Sequence, residues 1–257
     1  MIYCFSGTGN SLHAAHTLAG LLRERVIRIT DETQPCPAWQ GADEALGLVF
    51  PVYGWGMPRV VEYFIARLPQ AGSDGARYVY AVLTCGDDIG RTDRLLRKAL
   101  WQRGWRLHAV FSLQMRNTYV CLPGFDIDAP QTVEQKDSKA RLRLQHIARC
   151  VGARGSSTPG DVVPGAFPWT KSYLLRPLFN RWLTSDRHFH CHAARCTGCG
   201  LCKRTCPLHN IALDPQAHTP RWQGRCTHCL GCYHCCLHHA IDYGFFSRHK
   251  GQVKIIG

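Results

Sequence analysis

One spacing, present twice, limits this chain more than any other feature. Cys196, Cys199, Cys202 and Cys206 follow the pattern C-x2-C-x2-C-x3-C, and Cys226, Cys229, Cys232 and Cys236 repeat it thirty residues on. The repeat extends beyond the thiols: Arg195 and Thr197 recur as Arg225 and Thr227, and His209 and Ile211 recur as His239 and Ile241. Two copies of a unit too short to fold alone imply a pseudo-symmetric pair. The chain has fifteen cysteines, an odd number, and ten of them lie between Cys191 and Cys236. No basic stretch followed by an apolar run opens the sequence, so no export signal is expected and the chain is expected to be cytoplasmic. Clustered cysteines in that setting point to metal rather than to disulfides.

Three thiolates two residues apart can wrap three corners of an iron–sulfur cubane, while the fourth begins a short helix and reaches the other cluster. The expected ligand sets are therefore Cys196, Cys199, Cys202 and Cys236 for one [4Fe–4S] cluster, and Cys226, Cys229, Cys232 and Cys206 for the other. Zinc is the competing metal, but structural zinc sites use two separated ligand pairs, and an immediate third cysteine in both runs is surplus to that plan. With Pro207 after Cys206, the C-terminal segment resembles a bacterial two-cluster ferredoxin. The second run departs from that pattern, with Leu237 in place of proline and an extra thiol, Cys235, beside Cys236. Register with the first run favours Cys236 as the ligand. Ten of the fourteen histidines lie at or after His188. Packing or solvated roles are the plain reading for them, and hydrogen bonding near cluster sulfur by His228, His234, His238 or His239 is the sharper one.

Upstream, residues 1–151 alternate strand-like and helix-like runs. Strands are expected at 2–5, 26–29, 46–51, 77–83 and 107–113, with helices at 10–25, 58–67, 91–101 and 133–150. Five strands alternating with helices indicate a doubly wound parallel α/β sheet. Residues 152–168 have the Gly, Ser and Pro content of a linker. Residues 169–184 mix aromatic and aliphatic side chains with Lys171, Arg176 and Arg181, and are expected to form a bridging helix interrupted near Pro177. The expected organisation is thus 1–151, a linker and bridge at 152–187, and a small α+β segment at 188–257. The longest apolar stretches, 46–55 and 78–85, fall far short of the ~20 residues of a membrane span.

Ser6, Gly7, Thr8, Gly9, Asn10 and Ser11 follow the first strand and open the first helix. Hydroxyls, glycines and the free N–H groups of a helix start can enclose a phosphate without a lysine. A dinucleotide G-x-G-x-x-G site is the rival: Gly7 and Gly9 fit, Leu12 stands at the third position, and Asp31 lies near the distance of a ribose contact. The hydroxyl-rich sequence favours a terminal monoester phosphate, as in FMN. Pro51, Val52, Tyr53, Gly54 and Trp55 follow the third strand, and Thr84, Cys85 and Gly86 follow the fourth, where such a sheet places ligand loops. Isolated features have plain readings. His13 and His16 share a helix face as surface or packing residues, and Cys4, Cys36, Cys121 and Cys150 are small buried thiols.

The phosphate loop resembles the flavodoxin signature. The whole chain resembles the EFR-type ferredoxin family, in which a flavodoxin-like domain precedes a two-cluster ferredoxin; residues 115–120 are similar to a family segment, with Arg116 where proline is usual. The resemblance implies a flavodoxin-like five-stranded parallel sheet followed by a small α+β two-cluster ferredoxin domain, with FMN and two [4Fe–4S] clusters as cofactors. The function it implies is electron transfer between flavin and clusters, serving a redox partner protein. The alternative is a flavin-dependent oxidoreductase that reduces a small acceptor such as a quinone. Exposed low-potential clusters favour an anaerobic setting. The formal charge of +13 overstates the basicity of the loaded protein, because an oxidised cubane with four thiolates carries about −2 and a phosphate monoester about −2. The remaining excess suits an acidic partner. No nucleic-acid motif accompanies it, so no nucleic-acid partner is expected.

Overall fold

The computed structural model describes residues 1–30, 45–71 and 77–255. Five short strands, β1 (Ile2–Cys4), β2 (Val26–Arg28), β3 (Leu46–Pro51), β4 (Val79–Cys85) and β5 (Ala109–Gln114), form one parallel sheet in the order β2-β1-β3-β4-β5. The helices between them are α1 (Asn10–Leu22), α2 (Arg59–Ala66), α3 (Thr92–Trp101) and α4 (Pro130–Gly152). The period of two along each strand sends alternate side chains to opposite faces. Tyr3, Phe5, Leu46, Leu48, Phe50, Val79, Ala81 and Leu83 meet Val60, Val61, Phe64 and Ile65 of α2 and Leu96 and Leu100 of α3. Ile2, Cys4, Val49, Tyr80, Val82, Phe111 and Leu113 meet Leu12, Ala15 and Leu18 of α1 and Ala140, Leu144 and Ile147 of α4. Both faces of the sheet are covered, so β3 and β4 read as nearly unbroken apolar runs. This is a flavodoxin-like α/β fold. The order reverses between β1 and β3, the point at which such sheets open a crevice at their carboxyl ends.

Four strands differ in their limits from the sequence expectation. β1 and β2 each end one residue early, at Cys4 and Arg28; β4 and β5 each start two residues late and end two and one residues late, at Cys85 and Gln114, because the ladder sets the limits: Leu46 pairs with Val79, Pro51 with Thr84, and Cys85 with Gln114. Pro58 caps α2 rather than lying inside it. The bridge is also different in detail. A π-helical turn (Thr170–Leu175) runs directly into α5 (Arg176–Trp182), and Pro177 sits in the first turn of α5, where its missing N–H costs nothing. Asp31 and Cys36 lie outside the described residues.

In the C-terminal part, β6 (Phe189–Cys191) pairs antiparallel with β9 (Ile241–Tyr243), and β7 (Ile211–Leu213) with β8 (Pro220–Trp222). Short helices α6 (Leu201–Thr205) and α7 (Gly231–His234) follow the two cysteine loops. Among the described residues no helix is long and apolar enough to cross a membrane.

Candidate functional site

A cavity of about 680 Å³ opens at the carboxyl ends of β1, β3 and β4. One wall is the loop between β1 and α1. Gly9, at φ +99°, turns the chain into α1, a conformation that glycine adopts without steric cost. Its amide donates to the Ser6 hydroxyl at 3.1 Å, and no side chain caps α1. The hydroxyls of Ser6, Thr8 and Ser11 therefore stand beside uncapped helix amides, a donor set suited to an anion. The Ser11 and Thr84 hydroxyls share a 2.7 Å hydrogen bond that ties this loop to the end of β4.

Of the residues that the sequence singled out for a cofactor, Ser6, Gly7, Thr8, Asn10, Ser11, Pro51, Val52, Tyr53, Gly54, Trp55, Thr84, Cys85 and Gly86 line this cavity. Gly9 does not; it acts through the backbone. Burial pushes the Cys85 thiol up to about 12, so it is an inert wall group rather than a nucleophile. The segment after β5 is held close by the Asn10 side chain, which donates to the Arg116 carbonyl at 2.9 Å.

The bridge closes the other side, a role not visible in its sequence. Lys171 pairs with Asp88 at 2.6 Å, Arg176 with Glu62 at 2.6 Å, and the Ser172 hydroxyl donates to the Trp55 carbonyl at 2.8 Å. Phe179 packs on Gly54 so tightly that a methyl group there would collide with its ring. The rings of Tyr119 and Phe179 lie 6.1 Å apart and, with Trp55 and Trp182, give the cavity an aromatic lining. The loop after β4 brings no aromatic of its own.

The third wall belongs to the second cysteine run. His228, Cys229 and Leu230 line the cavity, and a side chain at Gly7 would clash with the Cys229 Cβ and the Tyr53 hydroxyl. The Gly7 carbonyl in turn would meet any side chain at Gly231. Burial, and then the neighbouring Cys229 and Cys226 thiols, push the Tyr53 hydroxyl well above its ordinary value.

The eight motif thiols gather in two fours. Cys206 lies within electrostatic reach of Cys226, Cys229 and Cys232, and Cys202 within reach of Cys236, Cys199 and Cys196. We call these the inner and outer sets. Cys196, Cys199, Cys202 and Cys236 also line one cavity of about 20 Å³. The Cys235 thiol, within electrostatic reach of Cys202, Cys236 and Cys199, does not line that cavity and donates to the Cys232 carbonyl at 3.4 Å. Among the described residues no group of three or more His, Cys, Asp or Glu is gathered around a single-ion position. Burial pushes Cys229 up to about 12 and Cys202 up to about 11, whereas the Leu201 amide holds the exposed Cys199 thiol below its ordinary value; the buried thiols would ionise only beside a positive charge such as a metal ion. The amides of Asn210 and Ala240 point at the sulfurs of Cys206 and Cys236, each at 3.3 Å. The buried Trp222 indole N–H, beside the Cys232 sulfur, has no good hydrogen bond of its own. These are the donors that stabilise cluster-bound thiolate.

Two buried histidines differ. His234 is satisfied on both sides: its Nε2 lies 2.8 Å from the Thr118 carbonyl, and its Nδ1 accepts from the Val253 amide at 3.2 Å. That arrangement ties the C-terminal part to the segment after β5 and fixes one neutral tautomer. Among the described residues neither ring nitrogen of His228 has a partner. The outlying thiols are unremarkable: Cys4 and Cys121 are buried, Cys150 is half-buried, and Cys191 bonds to Cys196 at the edge of the outer set. His13 and His16 are exposed.

No family model and no curated protein matches the chain. Among solved structures, a flavodoxin of Streptococcus pneumoniae TIGR4 is 16% identical, with 55% of this chain and 93% of that one covered at a TM-score of 0.34. An NAD(P)H:quinone oxidoreductase of Methanothermobacter marburgensis is 10% identical, with 58% and 94% covered at 0.39. An azoreductase of Bacillus anthracis strain Sterne is 8% identical, with 60% and 99% covered at 0.39. Likenesses this distant carry no argument about function, and the flavodoxin-like fold rests on strand order and helix placement in the chain itself.

Proposed function

We propose that this chain passes electrons between an FMN held in the 680 Å³ cavity and two [4Fe–4S] clusters held by the inner and outer thiol sets. The observation that carries this reading is the direct packing of the phosphate loop, at Gly7, on the inner-set residue Cys229. When bound, FMN exchanges one or two electrons and each cubane exchanges one, so their union converts two-electron into one-electron transfer. The residues divide the work. Ser6, Thr8, Ser11 and the start of α1 hold the phosphate; Trp55, Tyr119 and Phe179 enclose the ring; the bridge excludes water, held to the sheet part by its ion pairs with Asp88 and Glu62 and to the C-terminal part by the Tyr243 hydroxyl, which donates to the Leu183 carbonyl at 2.7 Å. Cys229 borders the cavity while Cys199, in the outer set, faces solvent. Cavity, inner set and outer set would thus lie in that order along a transfer path, in either direction, with a redox partner docking at the outer end. Arg195, Lys203 and Arg204 are exposed there, which suits an acidic partner protein. The fourteen cysteines among the described residues are all free thiols, in keeping with a reducing, cytoplasmic setting.

Anaerobic purification followed by analysis of iron, acid-labile sulfide and flavin tests the reading. About eight iron, eight sulfide and one FMN per chain are expected. Zinc in place of iron removes the clusters from the account, and iron without flavin removes the conversion. A second reading is favoured by the cavity mouth, where Phe125, Leu175, Leu178 and Trp182 are exposed and apolar. There the flavin would reduce a planar apolar acceptor such as a quinone. Saturable turnover of a soluble quinone by the reduced holoprotein distinguishes this from a carrier.

A further inference from the structure

The bridge is amphipathic in the wrong sense for a surface helix. Toward the sheet part it turns Lys171, Ser172 and Arg176, which bond to Asp88, the Trp55 carbonyl and Glu62, with Phe179 the one ring among them. Its outward face carries Leu174, Leu178 and Trp182, four residues apart and all exposed. Ahead of them Phe167 and Trp169 are 79 and 61% exposed, and the exposed Tyr173 lies against Trp169 with ring centroids 5.7 Å apart. A surface helix ordinarily turns its apolar stripe to the core and its charges to water. Here the order is reversed, and a continuous run of exposed large apolar side chains marks a surface that something covers. Phe167 adds a second sign. Its backbone is left-handed at φ +50°, a conformation that costs a bulky side chain and is concentrated at functional sites.

The charges on this segment select its occupant. From 162 to 190 the sequence holds four cations, Lys171, Arg176, Arg181 and Arg187, and one acid, Asp186. Lys171 and Arg176 are taken up by their ion pairs, and Asp186 accepts from the Asn210 side chain and the Gly224 amide. Arg181 and Arg187 are exposed and pair with no carboxylate among the described residues. Arg181 stands between Leu178 and Trp182 on the outward face, so cation and apolar stripe lie together. A second copy of this chain, itself at a formal +13, would bring like charges into such a contact. A protein partner would have to supply pockets for five protruding side chains, whereas a bilayer interface takes up Trp, Phe and Leu from a helix lying flat, with arginine at the headgroups. We propose that the bridge seats this chain on an anionic membrane surface, with Phe167, Trp169, Leu174, Leu178 and Trp182 among the lipid headgroups and Arg181 and Arg187 on their phosphates. Leu178 and Trp182 also line the cavity mouth, so a chain seated in this way turns that mouth to the bilayer. The inference goes beyond the flavin reading and does not depend on it.

The test uses the full chain, loaded anaerobically, and its sedimentation with lipid vesicles. Vesicles of phosphatidylcholine and phosphatidylglycerol in equal parts are expected to bind it about tenfold more tightly than phosphatidylcholine alone. The double variant Phe167→Ser/Leu174→Ser, at two exposed positions outside the cavity lining, is expected to weaken that binding about tenfold and to keep its iron and flavin content. Arg181→Glu is expected to weaken binding to the mixed vesicles about tenfold and to leave binding to phosphatidylcholine as in the wild type. Should the double variant lose iron, Arg181→Glu decides alone. A wild-type chain that does not sediment with mixed vesicles, or binding unchanged in both variants, overturns the inference. A wild-type dimer in light scattering that Phe167→Ser/Leu174→Ser renders monomeric also overturns it, and assigns the face to a second copy. Vesicle binding is read without the flavin, so a chain that sediments as expected but holds no FMN removes the proposed function and leaves this inference standing.

Discussion

In the first cysteine run the left-handed positions are glycines, Thr197 and Cys199 face solvent, and a proline follows the last thiol; in the second they are His228 and Leu230, and the run lies against the phosphate loop. The spacing that sets cluster chemistry is the same in both. What differs is the burial of the loop itself: Thr227 and His228 are buried where Thr197 is exposed and Gly198 half-buried, and Cys229 is half-buried where Cys199 is exposed. A repeat with one buried and one open copy has an inside and an outside. The buried copy is matched to a neighbour within the chain, and under the proposed function the open one would serve a partner beyond it. Burial also distinguishes their electrostatics, since fewer waters screen the inner set and protein dipoles such as the Trp222 N–H count for more there.

Removing one thiol from each set tests this division most strongly. Cys229→Ala and Cys206→Ala are both expected to lose the inner cluster, about half of the iron, because the sets are crossed between runs. Cys199→Ala is expected to lose the outer cluster instead and to leave FMN binding as in the wild type. Iron analysis with low-temperature EPR reads each outcome, and a Cys206→Ala protein that lost the outer cluster would break the crossing. Next in size is Gly7→Ala. The added methyl has no room between Cys229 and Tyr53, so a loss of about 1–3 kcal/mol in stability is expected, together with weaker FMN binding. Denaturant unfolding of the loaded protein measures it. In the outer run Gly198→Ala meets the His218 Cβ and a left-handed φ, and is expected to cost about 1–2 kcal/mol without altering FMN affinity. The smallest effect belongs to the bridge. Lys171→Ala removes the pair with Asp88, worth about 1 kcal/mol or less at its partial exposure, and is expected to speed FMN release while the iron stays in place. Flavin fluorescence after dilution follows that release.

Much of this arrangement is legible in the residues. β3 and β4 announce themselves as apolar runs, the loop before α1 by hydroxyls and glycines at a helix start, and the gathering of the eight motif thiols by spacing alone. Strand limits are not legible, because the partner strand decides where β4 and β5 stop. Nor is the cavity wall made by Leu175, Leu178 and Phe179, which depends on a π-helical turn and on ion pairs to residues more than eighty positions away. The position of His228 does leave a trace: a histidine stands where the first run has Gly198. That it takes up a left-handed backbone, walled in by aromatic rings, shows only in the folded chain.

The central claim is that the flavin exchanges electrons with the inner set first. The direct measurement is anaerobic photoreduction of the flavin in the Cys199→Ala holoprotein, which retains only the inner cluster, with the cluster followed by its absorbance and EPR signal. The account predicts that the inner cluster is reduced as the flavin is reoxidised, at the wild-type rate, and that Cys229→Ala abolishes rapid reduction of the remaining outer cluster. Prompt reduction of the outer cluster in Cys229→Ala, with a silent inner cluster in Cys199→Ala, would contradict it.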